Sequence, residues 1–148
     1  MTVIDNLFYN YYEALETQGK GGDAFLIYSM WVMECLKDLL AKHSEIPAEY
    51  VEVYDAASQW LAGDLPYDQL EQCFYNLNIP VEPAEDAVST CLFALLGEGD
   101  GVSHVEGESR IAFLLASNEE EAIEMRMNHY FLLMQIADEY FKANESKT

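Results

Sequence analysis

From Ile4 the apolar residues Ile4, Leu7, Phe8, Tyr11, Tyr12 and Leu15 recur at steps of three and four, and "GKGG" at 19–22 ends the pattern. That spacing predicts a short amphipathic helix. A second helix, "AFLIYSMWVMECLKDLLAK", follows with Asp23 as its cap. It is apolar nearly all round as far as Cys35, as expected of a central core helix. Pro47 suits the first turn of a third helix, "PAEYVEVYDAASQWLA", whose end is marked by Gly63. Pro66 starts a fourth through "YDQLEQCFYNL" before "NIPVEP" breaks the chain, and "AEDAVSTCLFALL" makes a fifth, closed by Gly97.

The stretch "LLGEGDGVSHVEGESR", 95–110, interrupts the periodicity with glycines and carboxylates and reads as an exposed acidic loop. After it, "SRIAFLLA" reads as a short helix, although a strand of that length fits almost as well. The last element opens on a capping box, Ser117 with Glu120 or Asn118 with Glu121, and three consecutive Glu residues sit where the helix dipole favours negative charge. Its apolar residues, from Ile123 and Met127 to Tyr140 and Phe141, cover so much of the helix that neighbours are expected around more than half its circumference. No strand-like alternation and no internal repeat interrupts this series. The fold class is therefore all-α: a single-domain bundle of about seven helices over 1–143 with one long buried C-terminal helix, and a flexible tail at 144–148.

Composition sharpens the picture. The chain has 148 residues, about half of them apolar, which suits one domain with one core. Its formal charge of −20, from 27 Asp and Glu against 7 Lys and Arg, repels phosphate backbones and anionic membrane, so no direct nucleic-acid or membrane binding is expected. Aromatic content of 13% supplies enough buriable surface to fold despite the acidity. Cys35, Cys73 and Cys91 are odd in number and widely spaced, so reduced thiols are expected in place of a disulfide framework. The N-terminus lacks a basic region and no apolar run reaches membrane-spanning length, which together predict a cytoplasmic protein.

Chemistry-bearing motifs are scarce. There is no P-loop, HExxH or GxSxG, and the residue three before His129 is Arg126, so no Glu-x-x-His pairing of the di-iron type is present. No catalytic, cofactor-binding or metal-binding residues are assigned. The glycine-rich segment follows a helix and lacks the third fingerprint glycine of a dinucleotide cradle. As a calcium loop from Asp100 it has Val102 and His104 where Asp or Asn is expected. A metal-dependent enzyme using the 97–108 loop is the weakest alternative. Arg126 and His129 fall on the apolar sector of the last helix; the favoured reading is a core histidine in a hydrogen bond and an arginine paired with a buried carboxylate or snorkelling outward, against a functional site in the bundle interior.

The distribution of charge is the most informative feature. Residues 43–109 hold no Lys or Arg, yet contain Glu45, Glu49, Glu52, Asp55, Asp64, Asp68, Glu71, Glu82, Glu85, Asp86, Glu98, Asp100, Glu106 and Glu108. Glu45, Glu49 and Glu52 follow helical spacing, and like charges one turn apart each cost a helix a few tenths of a kcal/mol. A basic protein partner accounts for keeping them. The expected partner-binding residues are Glu45, Glu49, Glu52, Asp55, Asp64, Asp68, Glu71, Glu98, Asp100, Glu106 and Glu108. Carboxylates about 5–6 Å apart on a helix also approach the spacing of phosphates, a mimicry that calls for exposed tyrosines; Tyr50, Tyr54, Tyr67 and Tyr75 lie near the acidic positions, but periodicity turns Tyr50 and Tyr54 inward.

A small, acidic, helical, motif-poor chain resembles two groups: the immunity proteins that neutralise bacterial toxins, and the DNA-mimic inhibitors. The segment "YDAASQWLAGDLPYDQL", Tyr54 to Leu70, is similar to the alanine-rich helix, Trp, Leu, small residue and Gly of some helical immunity domains. The long apolar core and lower acid fraction depart from the phage DNA mimics. The resemblance implies a non-enzymatic inhibitor whose acidic face occludes a toxin, a nuclease or another nucleic-acid-binding enzyme. The alternative is an acidic secretion chaperone or adaptor that binds an apolar segment along the Met-bearing faces of the second and seventh helices, around Met30, Met33, Met125, Met127 and Met134.

Overall fold

The computed structural model describes residues 2–19, 22–97 and 101–145. Among them are seven helices and no strand: α1 (Val3–Gln18), α2 (Asp23–Lys42), α3 (Ala48–Leu61), α4 (Tyr67–Tyr75), α5 (Pro83–Ala94), α6 (Val102–Leu115) and α7 (Glu119–Glu145). The all-α reading of the sequence is correct. Thr2 caps α1 through a reciprocal box with Asp5: the Asp5 N–H donates to the Thr2 hydroxyl and the Thr2 N–H donates to the Asp5 carboxylate. At the start of α2 the cap is Gly22, with φ 91°, and not Asp23. Asp23 is instead the first helical residue and accepts the Tyr140 hydroxyl at 2.6 Å, which ties α7 to the start of α2.

The central position of α2 follows from its all-round apolarity. Ile27, Tyr28, Trp31, Val32, Leu36 and Leu39 are fully buried, and each side chain of that size contributes roughly 1.5–3 kcal/mol on burial. Helices α1, α3, α5, α6 and α7 all pack on it. An aromatic cluster of Phe8, Tyr12, Tyr28, Trp31 and Tyr130 joins α1, α2 and α7 with ring centroids 4.8–5.5 Å apart. Burial raises the pKa of Tyr28, whose hydroxyl donates to the Phe8 carbonyl.

Two expectations are corrected. The acidic loop is shorter than the sequence suggests, because α6 begins at Val102; "SRIAFLLA" is the second half of that helix. His104, Val105, Glu108, Ile111 and Ala112 fall on one side of it and are buried, and two of the five are polar, which hid the pattern. Glu98 and Asp100, and residues 146–148 of the expected tail, lie outside the described residues; Asn144 and Glu145 belong to α7. The C-terminal helix is long but is not wrapped. Its buried residues, Arg126, His129, Leu133 and Ala137, form one narrow stripe, and Ile123, Phe131 and Met134 are exposed. Its apolar positions are spread around the helix, so one face cannot bury them all.

Helices α5 and α6 pack most closely, because α6 presents Gly107 to Cys91 of α5. A Cβ at 107 would stand 2.6 Å from the Cys91 sulfur and 3.2 Å from its Cα. We predict that Gly107→Ala destabilises the fold by about 1–3 kcal/mol from overpacking, reduced by up to about 1 kcal/mol from better helix propensity. Urea unfolding followed by circular dichroism measures this. Adding Cys91→Ala, which removes the sulfur, is expected to recover part of the loss.

Candidate functional site

The expected acidic surface divides into pieces with different environments. Glu45 pairs with His43, whose hydrogen bond lowers the pKa of Glu45, and Glu49 accepts from the Asn78 side chain at 3.3 Å. Glu106 is held by Arg110 at 2.8 Å, and the same guanidinium binds Asp86. Glu108 is the clear correction: it is 0% exposed, inside the bundle, and cannot meet a partner. Glu52, Asp55, Asp64 and Asp68 are exposed and Glu71 half-exposed, and none of the five forms an ion pair with a described Lys or Arg.

These five do not share one face. Glu49 and Glu52 border a small cleft of about 130 Å³ between α3 and α4, with Val53, Cys73 and Leu77 as its apolar lining. Asp55 lies farther round α3. On α4 the positions 68, 71 and 75 fall within an arc of about 60°, opposite Cys73, and place Asp68, Glu71 and Tyr75 on the outer flank. Tyr75 is 72% exposed and Tyr67, the first residue of the helix, 40%. Burial first, then the charges of Glu71 and Tyr75, raise the Tyr67 pKa, which marks these groups as neighbours. Phe93 of α5 packs on Phe74 at 5.0 Å between ring centroids and is half-exposed, extending the flank with apolar surface. The following segment carries Ile79 and Val81, both more than 80% exposed. It is anchored by the Tyr50 hydroxyl, which donates to the Asn78 carbonyl at 3.0 Å, and by the Asn78 amide on Glu49. Tyr50 is buried and Tyr54 half-buried, as their spacing requires.

Inside the bundle a second group of charges is assembled. Glu108 of α6 accepts from Arg126 Nε at 2.8 Å and from His129 Nδ1 at 2.7 Å, both on α7. Arg126 Nη2 lies 2.8 Å from Asp5 of α1, close enough for an ion pair but not aligned for a hydrogen bond. The guanidinium also sits over the Phe8 ring at 5.4 Å. The Trp31 indole donates to the His129 carbonyl at 2.8 Å, tying α2 to the same place. Arg126 and His129 are thus the ion-paired and hydrogen-bonded core residues that their positions on α7 suggest. The sequence left their carboxylate unassigned, because the polar residues of the first half of α6 hid the stripe on which Glu108 lies. His104 is 3.1 Å from the Ser29 hydroxyl and meets the edges of Phe25 and Tyr28. Burial and the Glu108 charge raise the pKa values of Cys35 and Cys91, which keeps both thiols protonated. Among the described residues no three or more His, Cys, Asp or Glu side chains gather to hold a metal ion, and no helix is long and apolar enough to cross a membrane.

No protein-family model, curated protein or solved structure matches the chain.

Two outcomes follow from the internal charges. Glu108→Ala leaves Arg126 and His129 without their buried carboxylate and is expected to cost about 3–5 kcal/mol in urea unfolding. Glu108→Gln, which keeps an acceptor, costs less, and Glu108→Leu combined with Arg126→Met recovers part of the loss. The second outcome concerns pH. Burial would raise the pKa of Asp5, but its hydrogen bonds with Thr2 and the Arg126 guanidinium beside it outweigh burial, so the pKa is lowered from the ordinary 3.8. The folded state therefore binds this proton less tightly than the unfolded chain. Its stabilisation is present above the ordinary value and is lost as pH falls through the lowered folded value. In urea midpoints taken from neutral pH down to about 3, Asp5→Asn removes this part of the acid dependence.

Proposed function

We propose that the chain is a non-catalytic binding protein of the immunity or inhibitor type, which docks on a basic protein through the outer flank of α4. The observation that carries this reading is that Tyr67 and Tyr75 stand exposed among Asp68 and Glu71, beside half-exposed Phe93. Exposed aromatics act as interface anchors, supplying contact area at low entropic cost. Unpaired carboxylates around them accelerate association with a basic surface and select it over acidic ones. A toxin, a nuclease or another nucleic-acid-binding enzyme offers such a surface, and occlusion of its Arg and Lys residues is the mode of inhibition. The −20 charge argues against direct nucleic-acid binding.

The test is capture of partners at low salt, followed by a salt titration. Binding is expected to weaken steadily between about 50 and 500 mM salt, where exposed pairs are screened. Tyr75→Ala should weaken the captured complex by about tenfold or more, and Asp68→Lys with Glu71→Lys should slow association and reduce the salt dependence. A complex insensitive both to salt and to these substitutions would overturn the assignment.

A further inference from the structure

A groove lies on the other side of α3. Helices α3 and α7 each pack on α2 and hardly touch one another, which leaves a groove between them over α2. The resulting groove has a volume of about 500 Å³. Its floor is half-buried Met30, with Met33 beside it only 5% exposed, and its walls are Tyr54 and Leu61 of α3 and Ile136 of α7. Glu34 and Glu139 stand exposed at its edges. No Lys or Arg lines it; Lys37, one turn beyond Glu34 on α2, lies outside the lining. Burial, then the charge of Glu34, raises the Tyr54 pKa, which keeps that hydroxyl neutral. Burial and its hydrogen bond to Asp23 push Tyr140 up to about 12, so the α7 wall is also neutral below its rim.

We propose that this groove seats a basic amphipathic helix of a partner protein, with the apolar side chains on the methionines and Lys or Arg residues against Glu34 and Glu139. The shape supports a helix: two helices flanking a third leave the seat into which a fourth packs by ridges and grooves. An apolar floor with acidic edges selects i, i+3, i+4 and i+7 apolar anchors flanked by cations. Methionine adapts its three torsions to whatever side chain arrives, which suits a floor that takes large residues. The same helix with acidic flanks would meet like charge on both edges. This function is independent of the α4 flank, which lies across α3 from it.

The probe is a dye-labelled designed Leu/Lys helix of about 18 residues, long enough to be helical when bound, measured by fluorescence anisotropy. The comparison peptides are a Leu/Glu helix with the same apolar face and a Leu/Lys peptide of identical composition scrambled to destroy that face. Only the intact Leu/Lys helix is expected to bind. Ser58→Trp and Ala143→Trp, at exposed positions lining the groove, should fill it without disturbing the core and weaken binding by about tenfold or more. Glu34→Lys with Glu139→Lys should do the same. Glu13→Lys with Glu16→Lys changes net charge equally but at exposed positions on α1, and should leave affinity within about threefold. Methyl NMR of the methionines should show Met30 and Met33 shifting on binding and Met125, Met127 and Met134 largely unmoved. Equal binding of the scrambled peptide, equal weakening by the α1 and groove reversals, or silent Met30 and Met33 methyls would show attraction to an acidic surface and overturn the groove. Absence of binding by the intact Leu/Lys helix would overturn it as well.

Discussion

The buried carboxylate of Glu108 constrains the rest of the molecule. An ionised group with no exposure is tolerated only when it is paired and hydrogen-bonded, and here Arg126 and His129 supply both from one face of α7. Those two residues can reach Glu108 only if α6 and α7 pack in one register, and Arg126 then meets Asp5, which fixes the start of α1. The Trp31 indole on the His129 carbonyl adds α2. Four helices are positioned by one carboxylate. Apolar packing supplies the bulk of the stability, but a layer of leucines would permit slippage that this set of directed bonds does not.

This arrangement shows how far the sequence could be read. Elements with a clean apolar period were legible: α1 from Ile4 to Leu15, the all-round apolar α2, the proline-led α3 and α4, and α5. The first half of α6 was not, since Gly101, His104, Gly107 and Glu108 carry loop-like residue types. Each has a reason that only the assembled bundle supplies. Gly101 takes a positive φ against the Tyr12 ring, and Gly107 lets α6 approach Cys91. Glu108 is neutralised by residues 18 and 21 positions away. A polar residue counts as a core residue when its partner is also inside, and one-dimensional periodicity does not contain the partner.

The acidic surface was legible in composition and less so in geometry. Counting the carboxylates of residues 43–109 treats them as one face, but helix rotation sends Glu49 and Glu52 to one side of the α3–α4 pair and Asp68 and Glu71 to the other. Cations elsewhere in the chain also claim some of them, since Arg110 holds both Asp86 and Glu106. The segment on which the proposed interface rests is smaller and better defined than the charge run. It is the part of α4 where tyrosines and unpaired carboxylates coincide.

The interior and the surface are linked through the same shortage of cations. With 7 Lys and Arg in the chain, burying Arg126 and committing Arg110 to two carboxylates removes guanidinium groups that would otherwise relieve repulsion outside. The molecule therefore holds its core together by directed charge pairing while its exterior stays strongly acidic. Such a field draws in basic partners from any direction, because long-range attraction at low salt does not depend on fine geometry. Discrimination must then come from short-range apolar complementarity, which falls off within contact distance. In the proposed reading, the exposed aromatics on α4 and the methionines between α3 and α7 are two such contacts, and the field around them is a common means of approach.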